Sequence, residues 1–385
     1  MGHISLKSAA KLVADRSFFQ GLKNNGFIFL ATALCFFSLT LSAQKIELQQ
    51  KWATNQKAFI ESAATVADID NNGLDEAVNA SKSAGLRNKT SAEKLGFPSG
   101  KKVLLLHIDD AGMCPEANTA TQNYIGKGYL HSAAVMMPCP NAAAMIAWAR
   151  NHPDEDIGLH LTLTSEWSKY RWGPLSNPAK VPGLIDPEGK LWAEVPDVIS
   201  HASASEVETE IRAQLDKSIA MGYRPGHIDS HMGTLFESVD YIKVFMKVAE
   251  EYHIPANIID FSNPETAENF AKASGYPLPV EVISQAGEYK LPKLDNFTSV
   301  PEGKTYAEKR DNFFKMVESL REGLTEIIFH PSVPTENMKS ITATWQQRAW
   351  EAELFADPLV IQFFKDKGVI FTNWKEIMKR FDKQN

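Results

Sequence analysis

The sequence predicts an α/β fold, a (β/α) barrel-like domain of seven parallel strands that forms an incomplete or distorted TIM-type barrel. From residue 101 onward, short apolar runs alternate with longer amphipathic runs, a pattern typical of βα units and a parallel sheet. Several short runs end in acidic residues or histidines, and in such folds the chemistry lies beyond the carboxyl ends of the strands. With 385 residues, 44% of them apolar, the chain is large enough to bury a substantial core.

The predicted elements follow from this alternation. The strands are 103–108, 132–137, 157–163, 226–230, 254–258, 326–329 and 369–372. The helices are 115–127, 141–151, 205–221, 239–252, 306–321, 344–355 and 374–380. The stretch 263–301 contains several prolines and no clear period, which predicts a rim insertion or lid rather than a second domain.

The first residues have the order of a secretory signal. A basic lead is followed by an uncharged apolar run, 27–41, and then by small residues, with predicted cleavage near Ala43. The run is short for a spanning helix; an uncleaved anchor and a buried helix are the alternatives. The prediction is a signal peptide over 1–43 and a periplasmic or secreted protein, with no membrane association beyond the export signal.

Residues 44–99 are predicted to form an amino-terminal extension, and 100–385 the barrel. The run 68–73 begins like a calcium loop, but its twelfth position is Asn79 instead of glutamate, which favours a polar turn. After export, Cys114 and Cys139 would be either packing residues or one disulfide. The net charge of -7, without a basic stripe, excludes nucleic acid as a partner.

Two adjacent carboxylates end the first predicted strand. Asp109 and Asp110 follow a wholly apolar run, and glycine at 112 breaks the strand just beyond them. Desolvation and mutual repulsion should separate their proton affinities, so that one binds a metal ion and the other acts as a base. The alternative is that the pair caps the helix beginning near Pro115.

Histidines lie on the polar faces of two later strands. His160 shares its face with two threonines, and His227, Asp229 and His231 alternate onto one face of the next strand. A metal ion explains such a group economically, because two imidazoles and one carboxylate form an open site. The alternatives are a hydrogen-bonded core histidine at 160 and a surface histidine cluster at 227–231.

A further histidine, His330, ends the sixth strand. Pro331 biases it toward extended geometry, so its ring should project into the same mouth of the barrel. If charged, this imidazole could protonate a leaving amine. The alternative is a loop histidine bonded to backbone.

Four separated blocks carry a family resemblance: HIDDAGMCPEAN at 107–118, GLHLTLTSEW at 158–167, GHIDSHMG at 226–233 and FHPS at 329–332. Together they resemble the YdjC-like carbohydrate deacetylases, also called the ChbG/HpnK family, over roughly residues 91–380. The resemblance implies a hydrolase that uses one divalent metal ion, magnesium or zinc, to remove acetyl from N-acetylated sugars. It implies Asp110, His160 and His231 as metal ligands, Asp109 as the base and His330 as the acid.

Substrate-binding residues are predicted on the same rim. Trp167, Arg171 and Trp172 follow the third strand and offer aromatic faces and donors to sugar rings, although aromatic clusters in loops are also often local packing. His227 and Asp229 are predicted to contact substrate as well.

Three functions stay open: a metal-dependent deacetylase of N-acetylated sugars or oligosaccharides, a metal-independent barrel glycosidase with paired carboxylates, and an exported non-catalytic glycan-binding protein. A homodimer also stays open.

Overall fold

The computed structural model describes residues 89–127, 130–261, 266 and 280–384. The chain divides into two units, and these residues belong to the second, Arg87–Asn385. The predicted signal peptide, the turn at 68–73 and most of the extension 44–99 lie outside the described residues. Across the described ranges, no helix combines the length and apolar character that a membrane crossing requires.

One parallel sheet forms the centre of the fold and curls into an incomplete barrel. Its strands are β1 (Lys102–Ala111), β2 (Ser132–Val135), β3 (Asp156–Leu161), β4 (Ile228–Ser230), β5 (Asn296–Ser299), β6 (Gly323–Phe329) and β7 (Ile370–Phe371). The spatial order is β4-β3-β2-β1-β6-β5, and β7 pairs with β1. The seven-stranded, incomplete α/β barrel predicted from the sequence is therefore confirmed.

Strand β1 is central because three strands pair with it. Strand β6 pairs with it along 102–108, whereas β2 pairs only with its later residues, 107–111. Strand β7 pairs with Val103 and Leu104, so it occupies the edge of β1 that β2 leaves free. From Val103 to Ala111 every β1 residue is buried, as the apolar run predicts for a strand covered on both faces.

Helices flank the sheet. They are α1 (Ser91–Lys94), α2 (Pro115–Tyr124), α3 (Ala142–Arg150), α4 (Val195–His201), α5 (Ala204–Ala220), α6 (Val239–Tyr252), α7 (Val280–Glu288), α8 (Tyr306–Ser319), α9 (Glu336–Ile341), α10 (Trp345–Leu354), α11 (Pro358–Lys367) and α12 (Trp374–Asp382). Side-chain caps begin several of them: Ser203 forms a capping box with Glu206 at α5, and Thr305 and Asn373 cap α8 and α12. All seven predicted helices are present, α6 with the predicted ends and the other six with shifted ends; α1, α4, α7, α9 and α11 were not predicted.

The predicted strand 254–258 is wrong. This apolar stretch makes only isolated bridges, Ile228 with Ala256 and Ile259 with Leu294. The amide of Ile258 donates a hydrogen bond to the carbonyl of Ala256. Because this bond is local, the Ile258 amide is not available for pairing with a neighbouring strand. The strand that completes the sheet is β5, which lies inside the predicted rim insertion.

Two apolar clusters support the sheet. The larger joins the helices to the main strands, and the smaller contains residues of α1, β1, β6 and α12, including Leu95, Phe97 and Trp374. The last residues of the predicted extension therefore pack into the barrel. Cys114 and Cys139 are both buried and free, so they are packing residues and not a disulfide.

Candidate metal centre

The backbone at the end of β1 brings both acidic side chains to one place. Regular strand residues alternate between faces, which would separate Asp109 from Asp110. Asp110 instead has φ 62°, and the β1–β2 register shifts between Ile108 and Ala111. As a result, Asp109 Oδ1 lies 3.9 Å from His160 Nδ1 and Asp110 Oδ1 lies 3.6 Å from His160 Nε2. A left-handed aspartate costs about 1–3 kcal/mol, and such strain is typical of functional sites.

Three buried side chains offer a set of metal ligands. Asp110 from β1, His160 from β3 and His231 after β4 each present one ligand atom, all within 4.8 Å of one another. Asp110 Oδ1 is 3.5 Å from His231 Nδ1, and within the described part of the chain this oxygen has no hydrogen-bond partner. A buried, unpaired carboxylate oxygen between two imidazoles fits a divalent cation.

Arg348, on α10, holds the other oxygen of Asp110. Its Nη1 donates to Asp110 Oδ2 at 2.7 Å, and both side chains are buried. Burial alone would raise the pKa of Asp110, but the Arg348 guanidinium and the nearby His231 outweigh it and hold this pKa well below its usual range. Asp110 is therefore ionised, with Oδ1 left free for a cation.

Each histidine of the centre has a carboxylate partner. His160 Nδ1 lies 2.5 Å from Asp229 Oδ1, which leaves His160 Nε2 facing Asp110. His231 Nε2 lies 3.1 Å from Glu166 Oε2. Such partners orient the imidazoles of metal sites and raise their basicity.

These carboxylates also change the acidity of both imidazoles. Burial opposes the charged form of His231, yet Glu166 and Asp110 outweigh it and raise the pKa of His231 to about 10. Burial likewise opposes the charged form of His160, and the Asp109 and Asp229 carboxylates raise its pKa in the same way. In the absence of a metal ion, the raised pKa values therefore favour the protonated imidazoles of His160 and His231.

Asp109 and His330 lie next to this centre. His330 Nε2 is 3.8 Å from Asp109 Oδ2, and the His330 ring is about a third exposed, as expected for a residue at the barrel mouth. The His330 amide donates to the Glu351 carboxylate, which also accepts from Lys309 Nζ at 3.0 Å. The main chain of His330 is thus anchored to a buried ion pair.

A cavity of about 920 Å³ opens over these groups. The centre, Asp109, His330 and Arg348 are part of its lining. The lining also contains apolar side chains, among them Ile199, Met232, Phe236, Phe261 and Phe297. The volume lies at the upper end of the range for ligand sites, which indicates a ligand larger than one small molecule fragment.

Four of the five predicted substrate-binding residues do not line this cavity, and Asp229 is the exception. Trp172 is buried, and its indole N–H donates to the Thr164 carbonyl. Arg171 is committed to Asp186 and to the Leu191 carbonyl, which shapes the loop after β3.

The other three predicted substrate-binding residues are His227, Trp167 and Asp229, and each has partners within the protein. His227 is completely buried, 3.1 Å from the Asp156 carboxylate. Trp167 is half-buried, packs edge-on against Trp172 and lies under the Arg348 guanidinium at 5.6 Å. Asp229 borders the cavity but faces His160, so its contacts are those of a ligand-orienting carboxylate.

Sequence reasoning missed Arg348 and the partner role of Glu166. Arg348 lies in a predicted helix 238 residues from Asp110, and helical periodicity carries no information about that pairing. Glu166 was visible as an acid directly after the third strand, and its position at a strand end was the available indication.

An incomplete parallel barrel with an Asp/His/His cluster in a cavity at the strand ends is the architecture of a barrel-type enzyme. The chain belongs to the YdjC-like family, whose model matches residues 103–366.

Two relatives are similar over most of their length. A carbohydrate deacetylase of Thermus thermophilus is 31% identical over 269 residues, 69% of this chain and 89% of the relative. A carbohydrate deacetylase of Thermoanaerobacter pseudethanolicus is 28% identical over 275 residues, 71% of this chain and 98% of the relative.

A crystal structure of an Enterococcus faecalis protein, assigned to cellobiose-phosphate cleavage, aligns with TM-score 0.60 at 21% identity. The alignment covers 72% of this chain and 99% of that one, and it bears on the fold alone.

Proposed function

We propose that the protein is a divalent-metal-dependent hydrolase that removes acetyl groups from N-acetylated sugars or oligosaccharides. The observation that carries the proposal is the unpaired Oδ1 of Asp110 between His160 and His231, in the same cavity as Asp109 and His330. The names of the relatives, carbohydrate deacetylases, support the reaction class.

Asp110, His160 and His231 would hold the metal ion. When bound, the ion supplies Lewis-acid polarisation of the amide carbonyl and a lowered pKa for water. Two imidazole nitrogens and one carboxylate favour zinc over magnesium, because magnesium prefers an all-oxygen shell.

Asp109 and His330 handle the protons. Hydrolysis adds water to the carbonyl carbon and breaks the C–N bond, so one proton leaves the water and one reaches the amine nitrogen. Asp109 accepts the first at Oδ2, the oxygen that faces His330 Nε2 at 3.8 Å. His330 donates the second from Nε2, and its partly exposed ring lets it exchange protons with solvent.

The aromatic side chains of the cavity lining support a sugar substrate. Phe236, Phe261 and Phe297 line the cavity, and aromatic rings suit the apolar faces of sugar rings. The cavity volume is compatible with an oligosaccharide. Export through the predicted signal 1–43 would bring the protein to periplasmic or extracellular glycans.

The test is acetate release from N-acetylated oligosaccharides, measured with metal content in the same sample. We expect activity to be lost with a chelator and restored by a divalent metal. His160→Ala and His231→Ala should abolish metal uptake, whereas surface His152→Ala should behave like the wild type. Asp109→Asn should keep the metal and lose turnover by about 10²–10⁴-fold.

Two results would contradict the proposal. Glycoside cleavage that survives chelation would identify a metal-independent glycosidase. Sugar binding without turnover in metal-loaded protein would identify a glycan-binding protein.

A further inference from the structure

A second group of polar side chains lies buried around His107, next to the metal centre, and the proposed reaction does not use it. We call it the His107 network: His107, Ser132, Asp156, His227, Asp229 and Glu326, all buried. So many ionisable groups away from water are costly unless each has a specific partner. Their partners therefore indicate what the network does.

One nitrogen of His107 faces two carboxylates. His107 Nε2 lies 3.0 Å from Asp229 Oδ2 and 3.2 Å from Asp109 Oδ1. Neither contact has the geometry of a hydrogen bond, so both are ion-pair contacts at short range. A nitrogen lone pair placed between two carboxylate oxygens would be repulsive, so Nε2 carries a proton.

The other nitrogen carries a proton as well. His107 Nδ1 is 2.9 Å from Ser132 Oγ, and that hydroxyl donates to Asp156 Oδ2 at 3.1 Å. Because the Ser132 proton is committed to Asp156, Nδ1 must donate to Ser132 Oγ. His107 is therefore an imidazolium. Burial opposes this charge, but the close carboxylates of Asp109 and Asp229 outweigh burial and raise the pKa of His107 well above its usual value.

We infer that His107 is a positioning residue that bridges the base Asp109 to Asp229, the carboxylate partner of His160. By taking Oδ1 of Asp109, it leaves Oδ2 directed toward His330. By taking Oδ2 of Asp229, it leaves Oδ1 for His160 Nδ1. The His107 imidazolium thus determines which carboxylate oxygen of Asp109 and of Asp229 stays available to other groups. Its positive charge also offsets the repulsion between the two carboxylates. The roles of Asp109 and His160 in this inference rest on the proposed function.

A second cation site is the competing explanation. His107 Nε2, His227 Nε2 and Asp229 Oδ2 also lie within 4.8 Å of one another, and among the described residues none of these three atoms has a hydrogen-bond partner. A cation there would require a deprotonated His107 Nε2, so the metal count distinguishes the two explanations.

The experiment compares His107→Phe and His107→Gln with Glu326→Gln in the full-length, metal-loaded protein. Glu326 is a matched control, because it is equally buried and lies 3.7 Å from His107 Nδ1. We expect kcat of His107→Phe to fall about 10–100-fold with KM changed less than about threefold, since the oxygens are mispositioned but the cavity is intact. The amide of His107→Gln can still donate, so this variant should recover part of kcat. Glu326→Gln should keep kcat within about threefold.

Metal binding provides a readout that does not depend on activity. We expect one metal ion per chain in every variant, and a metal Kd for His107→Phe raised about 10-fold because Asp229 is no longer held. Wild-type kcat in both His107 variants would overturn the inference and leave a structural role only. Two metal ions per chain, falling to one in the variants, would overturn it in favour of a cation site. A wild type that binds metal but releases no acetate would refute the proposed function, while the metal Kd would still test His107.

Discussion

Metal binding should release protons even at mildly alkaline pH. Metal ligands must be deprotonated, and His231 in the metal-free protein has a pKa of about 10, with that of His160 also raised. A raised pKa means that the proton stays bound as pH rises toward that value. At about pH 8, the metal must therefore displace nearly one proton from His231 and a further fraction from His160, whereas histidines of ordinary pKa would release almost none. Asp110 contributes no proton, because its pKa is held low.

The number of protons can be measured by titrating chelated protein with metal in buffers of different ionisation enthalpy. In parallel, the apparent metal affinity should rise with pH between about 6 and 8, by up to about tenfold per pH unit for each displaced proton. A log–log slope near or above one is the expected result.

Glu166→Gln tests the cause of the effect. Glu166 lies 3.1 Å from His231 Nε2, and of the groups that raise the pKa of His231 it has the largest effect. On metal binding at about pH 8, this variant should therefore release fewer protons than the wild type. Glu194→Gln is the matched control, since Glu194 lines the same cavity but is exposed. Metal affinity independent of pH over this range, or equal proton release in the two variants, would refute the electrostatic reasoning.

Three further results are expected. Asp229→Asn should raise the metal Kd by about 10–100-fold, because His160 loses the carboxylate that orients it; an unchanged Kd would count against that role. Arg348→Gln should destabilise the metal-free protein by about 3–5 kcal/mol in urea unfolding, since it leaves Asp110 buried and unpaired. The control Arg212→Gln, at a partly exposed pair, should cost about 0–1 kcal/mol, and equal losses would contradict the argument. Metal loading should raise Tm, and a chelator should reverse this.

The strand predictions show where local pattern is sufficient. Residues 103–108 form an unbroken apolar run, and a run buried on both faces can hardly be anything other than a central strand in a fold of βα units. The run 254–258 is also largely apolar, but the local hydrogen bond from Ile258 to Ala256 interrupts its pairing, and only isolated bridges form around it. Strand β5, NFTS, is short and polar, and its pairing with β6 is what makes it a strand.

The residues predicted for the candidate site also fall into two groups, those that the structure brings together and those that it does not. The family resemblance implied that Asp110, His160 and His231 bind one metal ion, and the structure places their ligand atoms together. Trp172 and Arg171 also follow a strand end, yet their polar atoms are taken up by nearby carbonyls and by Asp186. Both groups lie near strand ends, so position along the chain did not separate them, and the contacts made in the folded protein did.

The sequence by itself determined the parallel barrel, the family resemblance and the residues that could carry the chemistry, because side-chain alternation and strand ends are local properties of the chain. Tertiary structure alone decided which partner each of these residues meets. Arg348 reaches Asp110 across 238 residues, and His107 joins Asp109 to Asp229 from within the sheet. Such pairings depend on distances and burial in the folded protein, and these set the charge and the working atom of each group.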